Sequence, residues 1–219
     1  MATIDRDEAL RYLRIRRPDM AAREAIEPAA AELERSVTPR FTFACYPLEH
    51  GAEGEKLVGA NLTLPGKMAR TMLAECTHAV LLLCTLGAPF ETMLRAVSAR
   101  DMAKAAMLDA CGSAYVEAGC ADAEEAIAAR FPDRFLTDRF SPGYGDLPLA
   151  LQPALCAALD SRRRLGVTVT ESLLMIPTKT VSAVIGLADT PQPARVRGCA
   201  FCALRDTCAF RKGGTTCAV

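Results

Sequence analysis

Residues 79–86, AVLLLCTL, form the most apolar stretch of the chain and constrain its fold more than any other segment. A short continuous apolar run of this kind reads as a central strand of a sheet rather than an edge. It falls far short of the ~20 residues that span a bilayer, so no membrane crossing is expected. With 219 residues, the chain is long enough for one well-packed domain and short for two. Its 51% hydrophobic and 24% charged residues supply a core without the polar bias of chains that stay unfolded.

The elements around that run follow from periodicity. Residues 8–17 predict a short helix, and Ile26, Ala30, Leu33 and Val37 recur at helical spacing before Pro39, with Pro28 kinking that helix or delaying its start. In residues 40–47, Phe41, Phe43 and Cys45 alternate with Thr42, Ala44 and Tyr46, the period of a half-buried strand. A glycine-containing loop, HGAEGE, then leads to a second strand at 57–64, an arrangement that fits a hairpin or nearby pairing. Gly66 and Lys67 open a helix through Ala74. Residues 89–130 predict one long helix or two in succession, with Gly112 and Gly119 as weak points. A further helix is expected over 148–160, with Pro148 at its beginning, where a missing N–H costs nothing. Val167 and Val169 suggest one strand, and Val181, Ala183 and Ile185 another.

Because strands and helices alternate in no regular βαβ rhythm, the expected class is α+β, a single domain with a mainly antiparallel sheet packed by helices. That domain spans residues 1–187. Residues 188–198, with Pro191 and Pro193 among small and polar neighbours, read as a linker, and residues 199–219 as a small cysteine-rich unit.

Charge and motif content exclude several functions. Lys plus Arg and Asp plus Glu both number 26, so no net field draws the chain to nucleic acid or to an anionic membrane. The start, MATIDRDEALRYLRIRR, has no apolar segment of a signal peptide, so a cytoplasmic location is expected. Gly66-Lys67 lacks both the earlier glycine, where Asn61 stands, and the hydroxyl, where Met68 stands, of a phosphate loop. Gly143 and Gly145 break the dinucleotide pattern at Pro148, and no GxSxG or HExxH occurs. His50 and His78, the only histidines, read as structural. Of ten cysteines, six (Cys45, Cys76, Cys84, Cys111, Cys120 and Cys156) lie among apolar neighbours and read as packing thiols.

Residues 139–148, RFSPGYGDLP, differ from their surroundings. Pro142, Gly143, Gly145 and Pro148 fix a bent backbone around one aromatic, Tyr144, and one arginine, Arg139. Glycine admits close approach of a ligand to backbone, and a guanidinium fork can hold a carboxylate through two parallel hydrogen bonds. An ordinary loop carrying a surface arginine would look the same.

The pattern RxxxGYxxxP, here Arg139, Gly143, Tyr144 and Pro148, resembles the S-adenosylmethionine-binding stretch of the reactivation domain of cobalamin-dependent methionine synthase. Val169, Thr170, Glu171 and Ser172, then Pro177 and Thr180, Val181 and Ser182, resemble that family's TES segment, proline and VS strand, in the same order and at nearly the same separation. The resemblance implies an S-adenosylmethionine site in which Arg139 holds the ligand carboxylate and Gly143, after Pro142, lets backbone approach. It also implies that Tyr144 faces the reactive centre as the catalytic residue and that Glu171 lies near the site. The implied partners are a cobalamin-dependent methionine synthase or another corrinoid protein in trans, which carries the cobalamin, and an electron donor. The chain departs from the family where a ligand-contacting tyrosine pair is replaced by the linker of Pro191 and Pro193. The homocysteine, folate and cobalamin modules are absent from these residues, so the protein reactivated is expected to be a separate chain.

Cys199, Cys202, Cys208 and Cys217 give C-x2-C-x5-C-x8-C in a segment with little else to bury. Metal binding would supply its folding energy. One close pair plus two singles is nearer to iron–sulfur ligation than to zinc, although no ferredoxin spacing is present. A reduced tail without metal is the alternative. Three functions therefore stand: a reactivation partner, an iron–sulfur protein that reduces a corrinoid methyltransferase protein without S-adenosylmethionine, and a binding module with structural zinc.

Overall fold

A computed structural model describes residues 2–15 and 17–193. Cys199, Cys202, Cys208 and Cys217 lie outside the described residues. The chain opens with helices Arg6–Tyr12 (α1) and Met20–Ser36 (α2). Each has an aspartate cap: Asp5 accepts from the N–H groups of Asp7 and Glu8, and Asp19 from that of Ala22. The first helix ends well before the expected residue 17, because Arg14 turns into the left-handed region. Pro28 neither ends nor delays α2; it lies on the exposed side, where the carbonyl left unpaired by its missing N–H is open to water.

Strand Arg40–Gly51 (β1) runs past the expected Pro47 and turns directly into Gly54–Leu57 (β2), so HGAEGE is a tight hairpin with Gly51 opposite Gly54. The single strand expected over 57–64 is broken. Gly59 and Asn61 take positive φ, and the chain folds back as Leu62–Leu64 (β3), antiparallel to β2. Glu55, Leu57, Leu62 and Leu64 point inward while Lys56 and Thr63 face out. Helix Gly66–Leu73 (α3) and strand Cys76–Thr85 (β4) follow, then Gly87–Ser98 (α4) and Met102–Arg130 (α5), the two-helix form of the expected 89–130 segment.

Phe135–Leu136 (β5) was not legible in the pattern. The helix expected over 148–160 is present as a 3-10 turn at Leu149–Leu151 leading into Gln152–Ala158 (α6), and a separate short helix, Ser161–Leu165 (α7), starts after Asp160 at φ 48°. Short strands Thr168–Val169 (β6) and Met175–Ile176 (β7) pair with each other. Strand Thr180–Ala188 (β8) carries regular structure one residue past the expected domain end.

The fold is α+β, and its six-stranded sheet has the order β3-β2-β1-β4-β8-β5 and is mainly antiparallel. As expected, β4 is interior, and Ala79 to Cys84 have no exposed surface.

The residues group into two compact units, and β1, β4 and β8 contribute to both. The first unit comprises Met1–Thr42, Leu83–Ile127 and Leu159–Val181. Its core joins Leu10, Ile26, Leu33, Phe90, Leu108, Cys111 and Tyr115. The apparent weak points of α5 are contact points: a Cβ at Gly112 would fall 2.5 Å from the Phe90 ring, and one at Gly119 2.5 Å from Pro39. Among the described residues, the second unit holds Phe43–Leu82, Ala128–Ala158 and residues 182–193, with Leu57, Leu64, Met72, Leu73, Leu81 and Phe140 buried. Five of the six scattered cysteines are buried and Cys45 is half-buried; burial pushes the Cys111 thiol up to about 11, so packing is their role.

Gly186 on β8 is the tightest of these approaches, since an added Cβ would lie 2.4 Å from Cys76 Sγ and 2.9 Å from Leu73 Cδ2. Gly186→Ala should destabilise the protein by about 1–3 kcal/mol through overpacking, read as a lower urea midpoint at constant slope.

Candidate functional site

Arg139, Pro142, Gly143 and Tyr144 all fall in one loop of the second unit, between β5 and α6. Both sides of this loop are anchored. On entry, Phe140 exchanges backbone hydrogen bonds of 3.0 and 2.7 Å with Val184 of β8, and its ring is fully buried. The Ser141 hydroxyl donates to the Ser182 carbonyl at 2.7 Å. Ser182 and the buried Gln152 of α6 hydrogen-bond reciprocally through side chains, at 2.8 and 3.0 Å. The serine of the VS pair therefore ties strand, loop and helix together.

Within the loop, the Tyr144 N–H donates to the Ser141 carbonyl, and φ 94° at Gly143 gives the Pro-Gly turn a conformation that a residue with Cβ adopts only under strain. The Leu147 N–H donates to Tyr144 and the Gly143 N–H to Leu147, at 2.9 and 2.8 Å. Pro142 and Leu147 are buried beneath the loop. Gly143 and Tyr144 face outward, with Tyr144 50% exposed, and Arg139 is half-buried. On exit, the Asp146 carboxylate accepts from the N–H groups of Lys67 and Met68, at 2.6 and 2.8 Å, in the first turn of α3. These two hydrogen bonds hold the Asp146 carboxyl below the usual aspartate range.

Glu171 belongs to the first unit. It is exposed in the turn between β6 and β7, where Leu173 takes φ 65° and the Thr170 hydroxyl accepts from the Leu174 N–H at 3.1 Å. The structure thus brings Arg139, Pro142, Gly143 and Tyr144 together in one loop and puts Glu171 on a different segment and unit.

A separate cleft of about 360 Å³ in the second unit is lined by His50, Glu55, Arg70 and neighbouring backbone. His50 Nδ1 meets the buried Glu55 carboxylate and its Nε2 lies 3.1 Å from the Cys76 carbonyl, so both ring nitrogens are engaged. Among the described residues, no group of three or more His, Cys, Asp or Glu is placed to hold a metal, and no helix is long and apolar enough to cross a membrane.

The chemistry of the loop suits an amino-acid-like ligand: a guanidinium, an outward backbone without Cβ and an exposed aromatic lie within six residues. Asp146, Ser141 and Gln152, which hold the loop, were missed by sequence reasoning. Asp146 lies 78 residues from Met68, and no local pattern links them.

The fold is similar to that of a solved reactivation domain. A solved structure described as the MetH reactivation domain bound to AdoHcy superposes with a TM-score of 0.64, covering 92% of this chain and 76% of that one at 16% sequence identity. No protein-family model matches the chain, and no curated protein matches it in sequence.

The depressed carboxyl of Asp146 predicts a pH effect. Its contribution to stability is full at neutral pH and is lost as pH falls through the depressed value. Thermal melts of the wild type and Asp146→Asn should therefore differ at neutral pH and converge in strong acid.

Proposed function

We propose that this chain is a reactivation partner of a cobalamin-dependent methionine synthase or related corrinoid protein, binding S-adenosylmethionine at the 139–148 loop. The observation that carries this reading is the coincidence of two independent likenesses. The backbone shares the fold of a reactivation domain bound to AdoHcy, and the loop of this chain holds the motif expected to bind such a ligand.

In this reading the Arg139 guanidinium holds the ligand carboxylate, Pro142 stiffens the turn, and Gly143 lets the backbone approach. Tyr144, already exposed, presents its ring to the reacting centre. For Glu171, exposed in the β6–β7 turn, the role near the ligand rests on the family resemblance alone. S-adenosylmethionine, when bound, supplies a methyl group to the cobalamin of the partner, with an electron donor providing the one-electron reduction of its cob(II) state. The partner docks in trans.

A second reading is favoured by the cysteine spacing. In that reading Cys199, Cys202, Cys208 and Cys217 hold an iron–sulfur cluster, ahead of zinc. The chain would then pass electrons to a corrinoid protein without S-adenosylmethionine. If it holds zinc, the unit is structural.

Titration calorimetry separates the readings. The wild type should bind S-adenosylmethionine, and Arg139→Ala should weaken binding by about 2 kcal/mol through loss of the charge-assisted pair. Unchanged affinity in a folded variant would remove that role from Arg139.

For the tail, anaerobically purified protein should carry metal that Cys202→Ser releases while the rest of the chain keeps its melting transition. Iron would show as visible absorbance that bleaches on reduction, whereas zinc is colourless. Protein containing neither metal would end the electron-transfer reading.

A further inference from the structure

The ligand loop has two anchors of different kinds. Its entry is held by the sheet, through the Phe140–Val184 bridge and the Ser141 hydroxyl. At its exit, beside the buried Leu147, the exposed Asp146 side chain binds the first turn of α3. Gly143 and Tyr144 hang between these anchors.

The contact at the exit is reciprocal. Helix α3 has Pro65 at its N-cap position and receives no cap from it, so two of its first N–H groups are satisfied only by Asp146 from the loop. In return, the two hydrogen bonds fix the residue two positions from Tyr144.

Both sides of this contact use glycine to approach closely. A Cβ at Gly66, φ 95°, would lie 2.8 Å from the Asp146 carboxyl carbon, and one at Gly145, φ 54°, would lie 2.9 Å from Met68 Cε. Helix α3 is itself seated, with Ala69, Met72 and Leu73 buried and the helix packed on β2. The carboxylate therefore transmits the position of a fixed helix to an exposed turn.

We infer that Asp146 is a positioning residue for the ligand loop, its carboxylate clamping the loop to α3 so that Gly143 and Tyr144 are oriented before ligand arrives. This rests on the proposed binding of S-adenosylmethionine at the same loop. Ordering the loop in advance removes an entropy cost that binding would otherwise bear. Asp146 need not touch the ligand to do so.

Amide exchange followed by NMR, with calorimetry on the same samples, tests the role. In Asp146→Ala the amides of Lys67 and Met68 lose their partner whatever the role, so the informative amides are Gly143, Tyr144 and Leu147. Their exchange should accelerate, and S-adenosylmethionine should bind about tenfold more weakly. Asp146→Asn, whose side-chain oxygen can still accept one of the two bonds, should restore loop protection and affinity partway; it also carries the test if the alanine variant fails to fold. If only Lys67 and Met68 change while the loop amides stay protected, Asp146 is merely a helix cap and the inference fails. Full affinity in Asp146→Ala overturns it equally. Should the wild type bind no S-adenosylmethionine, the proposed function fails, and exchange at the loop amides alone decides the positioning role.

Discussion

Burial of β4 is the constraint on which the other elements depend. Ala79 to Leu83 give water nothing polar, and removing them from it contributes about 25 cal/mol per Å² of apolar area. Their backbone groups still need partners, which only neighbouring strands provide. Strands β1 and β8 take those positions, and each then inherits its own covering problem. The close approaches at Gly112, Gly119 and Gly186 show how tightly it is solved, since none of the three positions has room for a methyl group beside its present neighbours.

The 139–148 loop is a product of the same sheet. Strand β8 is nearly all buried, yet its Val184 bridge and Ser182 carbonyl reach the loop while the Ser182 hydroxyl meets Gln152. Rigid strand thus lends order to residues that have little core of their own. Phe140, Pro142 and Leu147 of the bent segment go inside, which leaves Gly143 and Tyr144 exposed.

Local chemistry was legible where it is local. The apolar run of β4, the spacing of α2, the bend of Pro142-Gly143 and the outward tyrosine all follow from neighbours in sequence. The 57–64 segment was misread because its apolar alternation continues through Gly59 and Asn61, whose positive φ reverses the chain. The 148–160 helix was legible and stops before Asp160, which turns left-handed; the short helix Ser161–Leu165 beyond it was not legible, because nothing in its composition marks that start. Phe135 and Leu136 form a strand only because β8 offers them an edge.

By itself, then, the sequence determined the α+β class, the interior strand and the bent Pro-Gly segment, because periodicity and side-chain chemistry are properties of short segments. Tertiary structure decided how that segment is anchored and that Glu171 lies apart from it. It put Arg139, Pro142, Gly143 and Tyr144 in one anchored loop and Glu171 in the turn of another unit. It also brought Asp146 to the first turn of α3, across 78 residues of chain. Hydrogen bonds of that separation depend on where the packed core leaves each backbone, and no local pattern encodes them.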